Sequence, residues 1–159
     1  MALAIALAVL LVLLCAGLVV FWARLAASNT RIIGEPAGEP EWVFGGGVMA
    51  RHLVTSGTLA RLELLDWGVR VRGIAVSRWL VPTWEAKYAD LAIAELVALP
   101  QSRNAIWFRL RGEADGRGEA GGIAFLSDHN LRILPLLEKH GVPVNRSVTK
   151  IRRVEELYS

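Results

Sequence analysis

The sequence predicts one membrane-spanning helix at the N-terminus, followed by a small, mainly β domain that ends in a capped helix. Three observations carry this. Ala2 to Trp22 contains no charged residue. Between Thr58 and Leu126, apolar and polar residues repeatedly alternate with the period of two that marks half-buried strands. After Leu126, a Ser-Asp start, leucines spaced three apart and a glycine stop outline one helix.

The first segment, residues 1–24, is expected to be a transmembrane helix acting as an anchor. At ~1.5 Å rise per residue, Ala2–Trp22 reaches about 31 Å, which matches a hydrocarbon core of ~30 Å. Phe21 and Trp22 stand at its C-terminal end, where aromatic rings favour the headgroup level. Arg24 and Arg31 follow, and no basic side chain precedes. The positive-inside rule then puts the C-terminal domain in the cytoplasm and the short N-terminus outside, a single-pass protein of the cell membrane that touches lipid through residues 2–22. A cleaved signal peptide would use the small residues near Leu25-Ala26-Ala27, but it calls for a basic start and a shorter apolar core. A lipoprotein signal calls for a small residue where Leu14 precedes Cys15. The stretch is apolar all round, unlike the one-sided stripe of a surface helix.

About 135 residues remain, room for one domain. The lone cysteine, Cys15, lies inside the apolar stretch, so neither a disulfide framework nor a cysteine metal site is expected. Eighteen basic against fifteen acidic residues leave a charge of +3, too mild to suggest a nucleic-acid partner.

Residues 25–56 read as a linker with a possible edge strand. Gly34, Pro36, Gly38, Pro40 and Gly45-Gly46-Gly47 break any period, and Trp42-Val43-Phe44 interrupts them. Leu62 and Leu64 alternate with Arg61 and Glu63 in a first strand. Asp66-Trp67-Gly68 is a turn, and Val69 and Val71 alternate with Arg70 and Arg72 in a second strand, making a hairpin. Trp84–Leu99 admits two readings. Tyr88, Leu91, Ala92, Leu96 and Leu99 fit one helical face; the alternative is two strands joined at Ala89-Asp90. Ile106 and Phe108 mark another strand after a turn at 100–104. A polar glycine-rich loop, 113–122, leads to a short apolar strand, Ile123–Leu126. Ser127 is the expected N-cap, Leu131, Leu134 and Leu137 the buried face, and Gly141 the stop of the last helix. Pro135 either starts that helix late or kinks it.

Four stretches, LARLELLDWGVRVRG (59–73), VPTWEAKYADLAIAELV (81–97), IWFRLR (106–111) and GGIAFLSDHNLRILPLLEKHGVPV (121–144), follow an order of hairpin, further strands and one terminal helix. This order resembles a pleckstrin-homology-like domain of the bacterial type found in small membrane-anchored actinobacterial proteins. The resemblance implies a mainly β open barrel over residues 57–143, capped by a C-terminal helix. It implies strands rather than helix for 84–99, with Tyr88-Ala89-Asp90-Leu91 linking them. Six strands are readable where that fold has seven; the missing one is expected at 78–81 or near 42–55.

No catalytic arrangement is legible. Ser127, Asp128 and His129 are sequence neighbours, whereas triad members converge from separate elements. His52, His129 and His140 lack ligand spacing, and the glycine run lacks the lysine of a phosphate loop. No enzyme activity, cofactor or metal is expected. In phosphoinositide-binding relatives of the resembled class, basic residues on the first hairpin hold phosphates, which makes Arg70 and Arg72 candidate lipid contacts. Residues 144–159 form a basic tail in which Val148, Ile151, Val154 and Tyr158 would share one helical face, and Arg146, Lys150 and Arg153 largely another, as on a membrane-surface helix; Glu155 and Glu156 weaken that reading and favour a helix or strand packed on its own domain, or a frayed terminus. The expected function is a tethered, non-catalytic scaffold that holds a membrane or cytoplasmic protein near the bilayer, with anionic-lipid sensing as the rival.

Overall fold

A computed structural model of the chain describes residues 2–28, 32–34, 38–50, 53–55, 58–75, 77–78, 80–99, 104–112 and 122–151, with the side chains of the first helix described from 6 to 21. All but the last residue of the turn expected at 100–104 and of the loop expected at 113–122, together with His52 and the tail from 152 onward, lie outside these residues. The apolar N-terminal stretch is one helix, α1 (Ala2–Ser28). Every described side chain of α1 is exposed, including Leu10, Leu13, Val20 and Phe21 at 55–64%. Among the described residues no helix is long and apolar enough to cross a membrane; in α1 those side chains number sixteen.

The rest is mainly β, with nine strands: β1 (Trp42–Ala50), β2 (Leu53–Val54), β3 (Ala60–Leu64), β4 (Gly68–Gly73), β5 (Trp84–Lys87), β6 (Leu91–Ala98), β7 (Asn104–Leu110), β8 (Ile123–Leu126) and β9 (Val144–Lys150). The second helix, α2 (Asn130–Lys139), joins β8 to β9. The strands form one open sheet in the order β5-β4-β3-β1-β8-β7-β6-β9, with β2 paired beside β1. The β3–β4 hairpin has the expected alternation, with Leu62 opposite Val71 and Glu63 opposite Arg70. Residues 84–99 are two strands joined by a 3-10 turn at Tyr88–Asp90. Pairing to β4 on one side and to β7 and β9 on the other outweighs their local helix preference.

Three expectations are corrected. The strand expected near 42–55 is present as β1, but the segment read as a linker, 25–56, is thereby part of the domain, and β1 lies in the middle of the sheet rather than at an edge. Its first half pairs with β3 and its second half with β8, so it belongs to both halves of the structure. Gly45-Gly46-Gly47 sits where it passes from one to the other. A Cβ on Gly46 would lie 2.2 Å from the Leu126 carbonyl oxygen and 2.6 Å from the Phe125 ring. Gly46 marks a close approach inside a strand, and the run is not a flexible connection. Second, the tail begins as a strand packed on its own domain, which removes the membrane-surface helix for residues 144–150. β9 runs parallel to β6, with a register shift opposite Glu95–Val97, and the Asn145 side chain accepts a hydrogen bond from the Ser147 N–H at 3.0 Å. Third, Leu131 is 76% exposed; α2 buries Asn130, Ile133, Leu134 and Leu137 instead, the i, i+3, i+4, i+7 set.

The helix end is as expected. Gly141 adopts φ +79°, its N–H bonds to Glu138 O and the Val142 N–H to Leu137 O, which is a Schellman closure with Val142 buried behind it. At the other end Ser127 stands two residues before the N-terminal cap position, accepting the His129 N–H at 3.2 Å and donating to Gly45 O.

Leu62, Leu64 and Phe108 are fully buried in the main core, where Phe108 lies against Trp84. A second apolar cluster covers the opposite face of the β1–β8–β7–β6 half, with Met49, Val97, Leu99, Ala105, Trp107, Ala124 and Leu126, and Ile151 packed against it. Trp107 is therefore as much a core residue as Phe108.

Candidate functional site

Register decides which charges meet on β3, β4 and β5. Residues opposite one another in an antiparallel ladder share a face. Val43, Glu63, Arg70 and Glu85 form one row, and Gly45, Arg61 and Arg72 the next. Their neighbours Leu62, Leu64, Val69, Val71, Trp84 and Ala86 point into the core, so these rows occupy the outer face.

That face is not a wet one. Glu63, Arg70 and Glu85 are 1%, 6% and 4% exposed. Arg70 Nε donates to Glu85 Oε1 at 2.7 Å, and its Nη1 lies 3.7 Å from Glu63 Oε2. Arg72 donates to Glu63 Oε1 from Nε at 2.8 Å and contacts it from Nη2 at 2.7 Å. Arg61 Nε lies 2.7 Å from the same oxygen, at an angle that makes it an ion pair without a hydrogen bond. The Arg70 guanidinium sits 5.8 Å from the centroid of Trp67, a cation–π arrangement. The second Glu85 oxygen accepts the backbone N–H of Ile33 at 3.0 Å. Three guanidinium groups and two carboxylates thus interlock, and the segment after α1 is pinned onto them.

Of the five residues expected to touch lipid, the four described ones are not brought together. Arg70 is buried and committed to carboxylates, so a phosphate would have to displace Glu85 and pay the desolvation of an unpaired buried acid. Arg72 keeps 29% of its side chain exposed. Arg146 and Lys150 lie on β9, at the other end of the strand order, where Arg146 pairs with Glu138 on an exposed surface. Arg153 lies outside the described residues. Sequence reasoning missed Glu63, Glu85, Trp67 and Ile33 as members of this cluster. The signal for the two acids was their place in the strand alternation; nothing local marked Ile33.

A second cluster joins three elements. The Tyr88 ring stacks on His140 with centroids 4.3 Å apart, and its hydroxyl donates to Leu65 O at 2.8 Å. His140 Nε2 lies 3.6 Å from Glu41 Oε2. Burial, followed by the negative charges of Glu41 and Asp66, pushes the Tyr88 phenol well above its ordinary pKa. This is a pillar that ties the 3-10 turn to the hairpin loop and to the end of α2. His129 lies 6.1 Å from Phe44, on the exposed side. Among the described residues no three His, Cys, Asp or Glu converge on a metal position. The chain matches no protein-family model and no curated protein.

Proposed function

We propose that this chain is a membrane-tethered, non-catalytic scaffold: α1 anchors it in the cell membrane, and a pleckstrin-homology-like domain on the cytoplasmic side holds a protein partner near the bilayer. The observation that carries the reading is α1 itself. It is a continuous helix of 27 residues, about 40 Å long at ~1.5 Å per residue, against a hydrocarbon core of ~30 Å. Its described side chains, large apolar ones among them, are exposed, while the β domain closes its core without them. A helix whose described side chains show no polar face and are all exposed is suited to lipid. Support for the pleckstrin-homology-like reading comes from the topology, a long first strand shared by two half-sheets and a helix after β8 that buries one face in the core. Support for a scaffold over an enzyme comes from the outer-face charges, which bind one another, and from the sheet edges at β5 and β9, which pair with no further strand among the described residues and offer backbone to a partner strand.

The test is a pair of fusions after Ser159, one reporter active only in the cytoplasm and one active only outside. The cytoplasmic fusion is expected to be active, in a chain that alkaline carbonate leaves in the membrane. Activity of the exterior reporter overturns the orientation, and release by carbonate overturns the anchor.

A further inference from the structure

We propose that the outer face of β3–β5 rests on the same bilayer that α1 enters, with Ile32 and Val43 in its headgroup region. This inference depends on α1 being a membrane anchor. It goes further, because it assigns the domain one orientation and one contact surface.

Tether length carries the argument. The Ile33 N–H is bonded to Glu85, and Glu85 lies on the outer face, between core-facing Trp84 and Ala86. Ser28 ends α1 five residues earlier. At ~3.6 Å per extended residue, the end of α1 is no more than about 18 Å from that pinned point. A helix of ~40 Å exceeds the hydrocarbon by ~10 Å, giving a total reach of roughly 28 Å. A domain of this size is about 35 Å across. The tether is too short to pass around the body, so the face that holds Ile33 cannot point away from the membrane, and its exposed side chains select the orientation that turns it to the bilayer.

What that face presents suits lipid. Ile32 is 64% and Val43 51% exposed, the latter in the row of Glu63 and Arg70. Arg61 and Arg72, with 35% and 29% of their side chains exposed, flank them. Apolar side chains beside guanidinium groups match an interface of acyl chains under anionic headgroups. The contact positions the domain; the glutamates below keep the arginines from acting as a specific phosphate pocket.

The test uses the full chain with Cys15→Ser, reconstituted in phosphatidylcholine–phosphatidylglycerol vesicles that carry spin-labelled lipid. One environment-sensitive fluorophore is attached at Val43→Cys or, for comparison, at Leu131→Cys on the exposed side of α2. Both positions are exposed, so neither label disturbs the core. The label at 43 is expected to be quenched by the lipid-borne spin label and shielded from aqueous iodide, and the label at 131 to behave in the opposite way. Equal quenching at both positions, in a chain that resists carbonate extraction, overturns the inference and leaves the anchor standing. Shielding of position 43 from iodide without lipid quenching means that protein covers the face, and also overturns it. Release by carbonate removes the anchor, and this inference falls with it.

Discussion

The two halves of the sheet bury their outer faces by opposite means. On β3, β4 and β5 the outer layer is ionic, with Glu63, Arg70 and Glu85 nearly inaccessible and joined by short contacts. On β6, β7 and β8 it is apolar, with Trp107, Val97 and Leu126 in a cluster of their own. The difference teaches how far composition can mislead about burial. A strand buried on both faces reads as a continuous apolar run when its second face is apolar, as in Ile123–Leu126. It reads as half-exposed when the second face is closed by paired charges, as in Arg61–Glu63 and Arg70–Arg72. Apolar burial needs only contact, whereas ionic burial needs register, because each charge must find its partner.

The largest expected effects test whether the apolar outer layer is a true core. Phe108→Ala and Trp107→Ala, one on each face of β7, should each cost about 3–5 kcal/mol in chemical denaturation. An unchanged midpoint for Trp107→Ala would reduce the second cluster to a surface patch and dissolve the comparison. The ionic layer should answer differently. Arg70→Met or Glu85→Leu alone leaves a buried charge without its partner and should cost about 3–5 kcal/mol, while the double variant should lose clearly less than the sum. Additive losses would show that the two side chains do not share one buried pair.

The junction between the halves comes next. Gly46→Ala forces a methyl against the Leu126 carbonyl and the Phe125 ring, and should destabilise by about 1–3 kcal/mol. A neutral result would mean that β1 has room to move where it changes partners. Tyr88 gives the smallest effect. Tyr88→Phe loses the hydrogen bond to Leu65 O, worth about 1 kcal/mol. Its pH dependence has a definite sign. A phenol whose pKa is raised on folding contributes stability below its unfolded pKa of ~10, and loses that contribution as pH rises toward the folded value. The wild-type melting temperature should therefore fall above about pH 10, and Tyr88→Phe should flatten that decline. Equal alkaline profiles would show that Tyr88 takes no part in it.

Much of the fold was legible because local chemistry and final structure agree. The hairpin turn at Asp66-Trp67 and the Gly141 helix stop each lie where residue type predicted, whereas the two strands of 84–99 followed from the resemblance, against the local helix preference. Three things were not legible. The glycine run at 45–47 looks the same in a linker and in a strand that passes close to other backbone. The face of α2 turned on whether Leu131 or Ile133 pairs with Leu134 and Leu137, which spacing alone leaves undecided. A helical period could be drawn through Val148, Ile151, Val154 and Tyr158, yet Val144–Lys150 is a strand, because it lies beside β6 and pairs with it.

The candidate site divides along the same line. From the sequence alone come the N-terminal helix with its uncharged stretch Ala2–Trp22, the alternation on β3 and β4, and the presence of arginines on one face of the first hairpin. Only the tertiary structure decided that these arginines are closed off. Glu63 stands beside them through the hairpin register, Glu85 arrives from a strand fifteen residues away, and Ile33 reaches Glu85 across fifty-two residues. Period and propensity are properties of neighbours in the chain and survive in any fold that uses the segment. Charge pairing is set by which strands lie side by side, and that is determined only when the whole sheet has formed.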